Sequence, residues 1–374
     1  MNRRQQTLAV LAVLPGLAWA QVQTSTAFVW WIGCAIGWIL VHFRVSFSAP
    51  FRQILLEGDP HAFRPIAALL ALLILGTAVL LLLAPALGWT FRLTHAPITG
   101  SLVLGAFLFG VGMQAAGRCG SGTLASATRA DASFALALGG LVLGVFLGSL
   151  QRPLWEQALP LRIAPIDLLQ LVPLWAAVLL QLAAVGLWLF ILNLACGLPF
   201  RLAAPQDHQA SLRSGWPGAI LLAAALLLLL VVSGEPWKVL WGLGLTGAHA
   251  AQGLGWDPAT SGFWSAPARL ALLSSPANWL QHEAVVVDLA VIYGACATGL
   301  WQRRPALGQG AKLRLDRAHL RAGLGGLLMG YGGFLAYGCN ISSFVGGVMS
   351  FSLHAWVWLA AAFAGSAAWL RLTE

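Results

Sequence analysis

Acidic residues are scarce: 12 in 374, beside 21 lysines and arginines. Charged residues make up 9% of the chain, against about 25% in a typical soluble domain. So few charges cannot form the polar shell of a soluble core, which itself stops growing at about 250–300 residues. An ordinary soluble enzyme, a disordered chain and a coiled coil are thereby excluded. Polar–apolar alternation is missing as well. Runs such as Leu69–Leu83 and Ile220–Val232 stay apolar throughout, which excludes a membrane β-barrel. Paired cysteines are also lacking. Cys34, Cys119, Cys196, Cys296 and Cys339 are spread singly, with no CxxC and no Cys/His metal spacing. Neither a zinc nor a haem site is indicated, and no cofactor is expected.

What is present is apolar: 59% of residues, with a mean hydropathy of +0.80. This composition predicts an all-α polytopic membrane protein of about ten helices. Apolar runs bounded by Pro, Gly and charge place the spans near 6–20, 26–43, 65–87, 99–116, 134–150, 168–192, 216–233, 284–301, 320–338 and 354–371. Residues 1–20 also fit a cleavable signal peptide. The short gap before the next span favours a first helix. Four Gly-rich or amphipathic pieces, 45–58, 119–131, 235–252 and 340–351, are too short to cross. Short polar pieces at membrane depth are tolerated where they are buried in protein or line a cavity, so they are read as re-entrant.

The net charge of +9 follows membrane topology rather than nucleic-acid binding. With the N-terminus inside, the inner loops carry Arg3, Arg4, Arg44, Arg52, Arg64, Arg201, Arg213, Arg303, Arg304, Lys312, Arg314, Arg317, Arg321 and Arg371. The outer loops carry Arg92, Arg152, Arg162, Lys238 and Arg269, while Arg118 and Arg129 fall in a re-entrant piece. This asymmetry follows the positive-inside rule and puts both termini in the cytoplasm. Many of the 18 tryptophans fall at span ends, as in an interfacial belt.

A shift of 220 residues lays Cys119 on Cys339, and Gly105, Gly110 and Gly112 on Gly325, Gly330 and Gly332. The loops before the two copies lie on opposite sides by the charge rule. The expectation is one domain, 1–374, built as an inverted repeat of about 26–150 and 216–371. Such repeats hold substrate at the midplane between broken helices.

Two elements can carry chemistry: Gly117-Arg118-Cys119-Gly120-Ser121-Gly122-Thr123 and Tyr337-Gly338-Cys339-Asn340-Ile341-Ser342-Ser343. Each puts a thiol just before a predicted helix start, where unpaired N–H groups attract anions and favour a thiolate. Gly120, Ser121, Gly122, Thr123, Asn340 and Ser342 surround the two sulfurs with small residues and neutral donors. The bland reading is close helix packing with cysteine as filler.

These residues resemble the YeeE/YedE sulphur-transport family. Leu-Met-Gly-Tyr-Gly, Tyr-Gly-Cys-Asn-Ile and Ser352-Leu353-His354-Ala355-Trp356 carry the likeness within Gly325–Trp358. Gly117–Thr123 is similar to the family's Gly-Cys-x-Ser-Gly-Thr-Leu element, and Gly234-Glu235-Pro236-Trp237 to its Gly-x-Pro-Trp element. The resemblance implies a bacterial inner-membrane permease for thiosulfate or a related sulfur or selenium species. Cysteines along an hourglass path would relay the ion through S–H···S contacts, and Cys119 and Cys339 match two of them. A cytoplasmic sulfur-carrier protein is a candidate partner beside the anion and the membrane lipid. One departure stands out: where the family usually reads Gly-Arg-Phe-Cys-Phe, this chain reads Phe43-Arg44-Val45-Ser46-Phe47. Ser46 thus occupies a third cysteine position.

Cys196 and Cys296 are read as packing, Cys34 as too far along its helix to stand in at the Ser46 position, His354 as a helix-start cap or interface residue, and Glu283 and Asp288 as intramembrane acids that are either functional or paired and snorkelling near a span end. Two further functions remain open at this point. One is a membrane thiol oxidoreductase using Cys119 and Cys339, and the other is a membrane scaffold. The absence of CxxC and of acid–base partners weighs against the enzyme.

Overall fold

The computed structural model describes residues 24–128, 131–196, 209–302 and 316–373. The predicted span 6–20 lies outside the described residues, as do Arg3, Arg4, Arg129, Arg201, Arg303, Arg304, Lys312 and Arg314. Within the described residues the chain is a multi-pass helical membrane protein. Seven helices are long and apolar enough to cross a membrane. Helix α1 (Thr24–His42), α2 (Ser48–Glu57), α3 (Arg64–Leu87), α4 (Gly100–Ala116), α5 (Gly120–Ala125) and α6 (Ala132–Ala158) form the first half. A short α7 (Leu168–Leu171) and α8 (Leu174–Cys196) link it to α9 (Gln209–Ser233) and α10 (Val239–Gly253). Then follow α11 (Pro267–Leu273), α12 (Pro276–Gln281), α13 (Glu283–Trp301), α14 (Arg317–Leu335), a π-helical turn at Asn340–Val345, α15 (Gly346–Met349) and α16 (His354–Thr373).

The predicted spans from 26–43 onward each correspond to a helix, with one correction. The run 168–192 is broken between α7 and α8, because Pro173 has no N–H and disfavours helical backbone at Val172. Helix α14 also ends earlier than expected. Tyr337 (φ 63°) and Gly338 (φ 153°) turn the chain out of the helix. The short helices α11 and α12, each opening on a proline, were not foreseen.

Glycines set the packing. Helices α4 and α14 cross at the centre, α6 packs on α14, and α16 packs on α4. Outside them α1 pairs with α13, and α3 with α9. A methyl group on Gly112 would sit 2.6 Å from the Gly325 carbonyl oxygen, and one on Gly325 2.8 Å from that of Gly112. Without a hydrophobic drive between helices in lipid, such small residues let backbones approach closely enough for dispersion to hold them. One buried apolar cluster runs through all these helices and includes both Cys119 and Cys339.

Loops gather at opposite ends. At one end, the β-pair Ile98–Ile163 and Thr99–Arg162 joins the loop after α3 to the loop after α6. There His95 Nε2 meets the Ser350 carbonyl oxygen at 3.0 Å, and the Arg92 N–H donates to the Gly234 carbonyl. At the other end Gln302 meets His42 at 3.2 Å, and Gly299 packs on Thr128.

Candidate functional site

Helix α4 is started by Thr99, whose hydroxyl accepts the Leu102 N–H at 3.1 Å, and is stopped by left-handed Gly117 (φ 66°). The chain then turns inward and Cys119 becomes an N-cap (φ −90°, ψ −179°). Its sulfur accepts the Gly122 N–H at 3.3 Å and lies 3.6 Å from the Ser121 hydroxyl. The Thr123 N–H and hydroxyl donate to its carbonyl at 2.7 and 2.9 Å. Cys339 has nearly the same backbone (φ −90°, ψ −169°). Its sulfur accepts the Ser342 hydroxyl at 3.5 Å, and the Ser342 hydroxyl in turn accepts the Cys339 N–H at 2.9 Å. The Ser343 N–H donates to the Cys339 carbonyl at 2.8 Å, matching Thr123.

The two elements meet. A methyl group on Gly120 would lie 3.1 Å from Cys339 Cβ and 3.4 Å from its sulfur, so a side chain there would push the second thiol back by a few tenths of an ångström. Both cysteines are fully buried, as are Ser121, Thr123 and Asn340 at about 1% exposure or less. The structure therefore holds this crossing closed. Asn340 donates to Met113 Sδ at 3.6 Å, while its buried Oδ1 has no hydrogen-bond partner. Trp358 stacks on Phe344 and donates to the Gly338 carbonyl at 3.1 Å, which fixes the second element from behind.

One sequence argument needs correction. Helix α5 has six residues and its counterpart is a single π-turn. Neither is long enough to sum a full macrodipole. What remains is a set of individual donors, and the Gly122 N–H is already spent on sulfur.

Above Cys339 lies a cavity of about 260 Å³. Its floor is Gly338 and Ser342; its walls include Tyr337, Trp241, Phe263 and Phe334; and Arg152, Lys238 and Thr94 face it. The Arg152 guanidinium rests 4.3 Å over the Tyr337 ring and donates to Glu156 at 2.8 Å. Lys238 donates to Glu235 at 2.6 Å. Thr94 donates its N–H to Ser350, but its buried hydroxyl has no hydrogen-bond partner. Arg152 and Lys238, each already paired with a carboxylate, keep further N–H donors, and with the uncommitted Thr94 hydroxyl they can meet a small anion one residue away from Cys339. The sequence showed Arg152 and Lys238 only as outer-loop charges. They converge from segments far apart in the chain, so no local motif marks them.

The sulphur-transport family matches residues 42–368, most of this chain. The chain belongs to that family. A stretch of 120 residues is 34% identical to the thiosulfate transporter TsuA of Spirochaeta thermophila, covering 31% of this chain and 29% of that protein. A stretch of 79 residues is 39% identical to the probable transporter YedE of Escherichia coli K12, covering 20% of this chain and 18% of that one. The chain thus aligns with less than a third of either relative's length.

In this member of the sulphur-transport family, Ser46 stands apart from the thiols. It lines a separate cavity of about 70 Å³ with Arg44, Pro65 and Gly215, at the end of the molecule away from the basic cavity. Its hydroxyl lies 3.0 Å from that of Ser48, whose carbonyl accepts from Gln114 of α4 at 3.3 Å. The other cysteines, Cys34, Cys196 and Cys296, sit on α1, α8 and α13, and Cys34 borders a cavity of about 600 Å³. The Cys34 backbone seats Gly294, and Cys296 donates to the Ala127 carbonyl at 3.4 Å. Cys196 is the last residue of α8. His354 is fully buried, bonds Ser352 at 2.7 Å and backs Gly347.

Proposed function

We propose that the chain is a permease for thiosulfate or a related small sulfur oxyanion in a bacterial inner membrane, working through a thiol relay. The carrying observation is the abutment of two N-capping cysteines of nearly the same backbone geometry beneath a cavity that Arg152 and Lys238 face. An anion from outside would dock on Arg152 and Lys238 and shed water against the aromatic walls. It would then reach Cys339 through Ser342, pass to Cys119 and leave on the inner face, where a sulfur-carrier protein could collect it. Thiols are polarisable and contact sulfur well. Serine and threonine hydroxyls, one N–H and asparagine serve the oxygen atoms.

The same reading makes the chain an inverted repeat. The packing of α6 on α14 and of α16 on α4 supports it, as does the shared cap geometry. The larger set of basic residues at the opposite end, Arg44, Arg52, Arg64, Arg317, Arg321 and Arg371, supports the orientation with that end and both termini cytoplasmic. Import of a dianion into an inside-negative cell costs about 4.6 kcal/mol per 100 mV at ~2.3 kcal/mol per charge, so uptake needs a driving ion. The test is uptake of sulfur-35 thiosulfate by cells that lack other sulfate and thiosulfate importers. No uptake above the empty-vector level sinks the proposal.

Two substitutions probe the path. Arg152→Gln removes a docking charge and should raise the KM for uptake about fivefold, since an ion contact near a protein surface is worth ~1 kcal/mol. The maximal rate should change little, and an unchanged KM would remove Arg152 from the path. Ser46→Cys restores a soft ligand at the inner cavity and should raise thiosulfate uptake about two- to threefold without raising sulfite uptake. Strong uptake by the parent chain that Ser46→Cys leaves unaltered would make the position dispensable.

A further inference from the structure

Asp288 lies in the second turn of α13, is 3% exposed, and is the one buried carboxyl among the described residues. Trp237 Nε1 donates to its Oδ1 at 2.9 Å. Its Oδ2 is buried with no hydrogen-bond partner. Gly242 of α10 packs directly on that oxygen, and any Cβ there would collide with it. Helix α1 meets this face of α13 through Gly33 and Gly37 and brings no charge. The charged and titratable groups around it are Glu235, Lys238, His282, Glu283 and Arg92. Glu235 is held by Lys238. His282 accepts from Trp241 at 3.1 Å, and burial keeps its imidazole below the ordinary range. None of them bonds the Asp288 carboxylate in the described structure.

An intramembrane acid is costly to keep as an unpaired ion and marks a functional site by default. The neutral acid suits this site, because one oxygen accepts from Trp237 and the other needs no counter-charge. A cleft of about 10 Å³, the size of one water, lies between Glu235, Lys238, Glu283 and Trp237, and is bounded by Ala284 and Val287 of α13 and by the tryptophan that bonds Asp288. Trp237 is followed at once by Lys238, and Trp241 lies one turn into α10; Lys238 and Trp241 line the cavity above Cys339, and Trp237 does not. The acid and the anion cavity therefore act on the same helix start.

We propose that Asp288 binds one of the protons that enter with the anion, at least two per dianion being needed to cancel its charge, which makes the chain a proton–anion symporter. Protons enter through the Glu235–Glu283 cleft. The bound proton lets Trp237 and the start of α10 hold the geometry that closes over the anion, and proton loss toward the inside resets it. This rests on the transport reading above.

The test uses the full chain in proteoliposomes holding a trapped pH dye, with labelled thiosulfate outside. For the parent chain, acid outside should drive accumulation above equilibrium, and the lumen should acidify as thiosulfate enters. Asp288→Asn keeps the volume and the acceptor for Trp237. It should keep thiosulfate–thiosulfate exchange within about twofold while gradient-driven accumulation falls at least tenfold. Accumulation by Asp288→Asn at the parent level overturns the proposal. So does loss of exchange together with accumulation, which would mean a structural role. Exchange by the parent chain with no acidification sinks the proton and leaves transport standing. No exchange by the parent chain at all sinks the transport reading, and this one with it.

Discussion

Cys119→Ala and Cys339→Ala are each expected to abolish thiosulfate uptake while the chain stays in the membrane at its normal amount. Each removes one buried sulfur and nothing else, at a site already built from glycine, serine and threonine. The stability cost should be small, about 1 kcal/mol. Each cap also loses its sulfur acceptor, yet the Thr123–Cys119 and Ser343–Cys339 backbone bonds remain to hold the turns. The effect on transport is different in kind. With the abutment at Gly120, a path through the crossing meets one sulfur and then the other, so losing either interrupts it. Serine is the sharper replacement. It keeps a donor of similar size and loses the polarisable atom, so Cys339→Ser should be as inactive as Cys339→Ala. Uptake and membrane abundance measured on the same cells decide the matter. Full uptake in any of these variants would end the relay, and equal loss of uptake and abundance would mean that the cysteines pack rather than conduct.

Much of this was legible from residue patterns. Apolar runs located the spans, because lipid forces every backbone group into a helix and so enforces long uninterrupted stretches. The two cysteine elements were legible because a glycine stop, a short polar piece and a new helix must follow one another locally. The anion cavity was not. Thr94, Arg152, Lys238 and Tyr337 come from four separate segments, and only the packing of α4, α6, α10 and α14 brings them together. The break at Val172–Pro173 shows the opposite failure. There the apolar run continued while the backbone could not. Ser46 was legible as a departure from a family pattern, but its separate cavity and its link through Ser48 and Gln114 were not. Asp288 read equally as a functional intramembrane acid and as one that pairs or snorkels near a span end. Gly242 and Trp237, which enclose it, lie about fifty residues away in sequence.

Gly105→Val should destabilise the folded protein strongly, whereas Gly139→Val should leave it intact. Gly105 sits where α4 crosses α14. A Cβ there would collide with the Gly332 carbonyl oxygen and lie 2.7 Å from the Ala336 N–H and 2.8 Å from Leu335 Cβ. Two of these neighbours are backbone, so no rotamer change makes room, and the helices must separate. Separation is expensive in lipid because close packing is what holds the pair together. Overpacking a well-filled core costs about 1–3 kcal/mol, and a clash against backbone should reach or exceed the top of that range. Gly139 is exposed on α6 with nothing within 4 Å, so valine there faces lipid and should stay within about 0.5 kcal/mol. The contact is also reciprocal, since a Cβ on Gly332 would collide with the Gly105 carbonyl oxygen. Gly332→Val should therefore be as damaging as Gly105→Val. The double variant should lose less than the sum, because one separation of the helices relieves both clashes. Heating detergent-solubilised protein and measuring the monodisperse fraction gives the comparison. A Gly105→Val chain as heat-resistant as Gly139→Val would show that the α4–α14 crossing is not the close contact on which this fold is built.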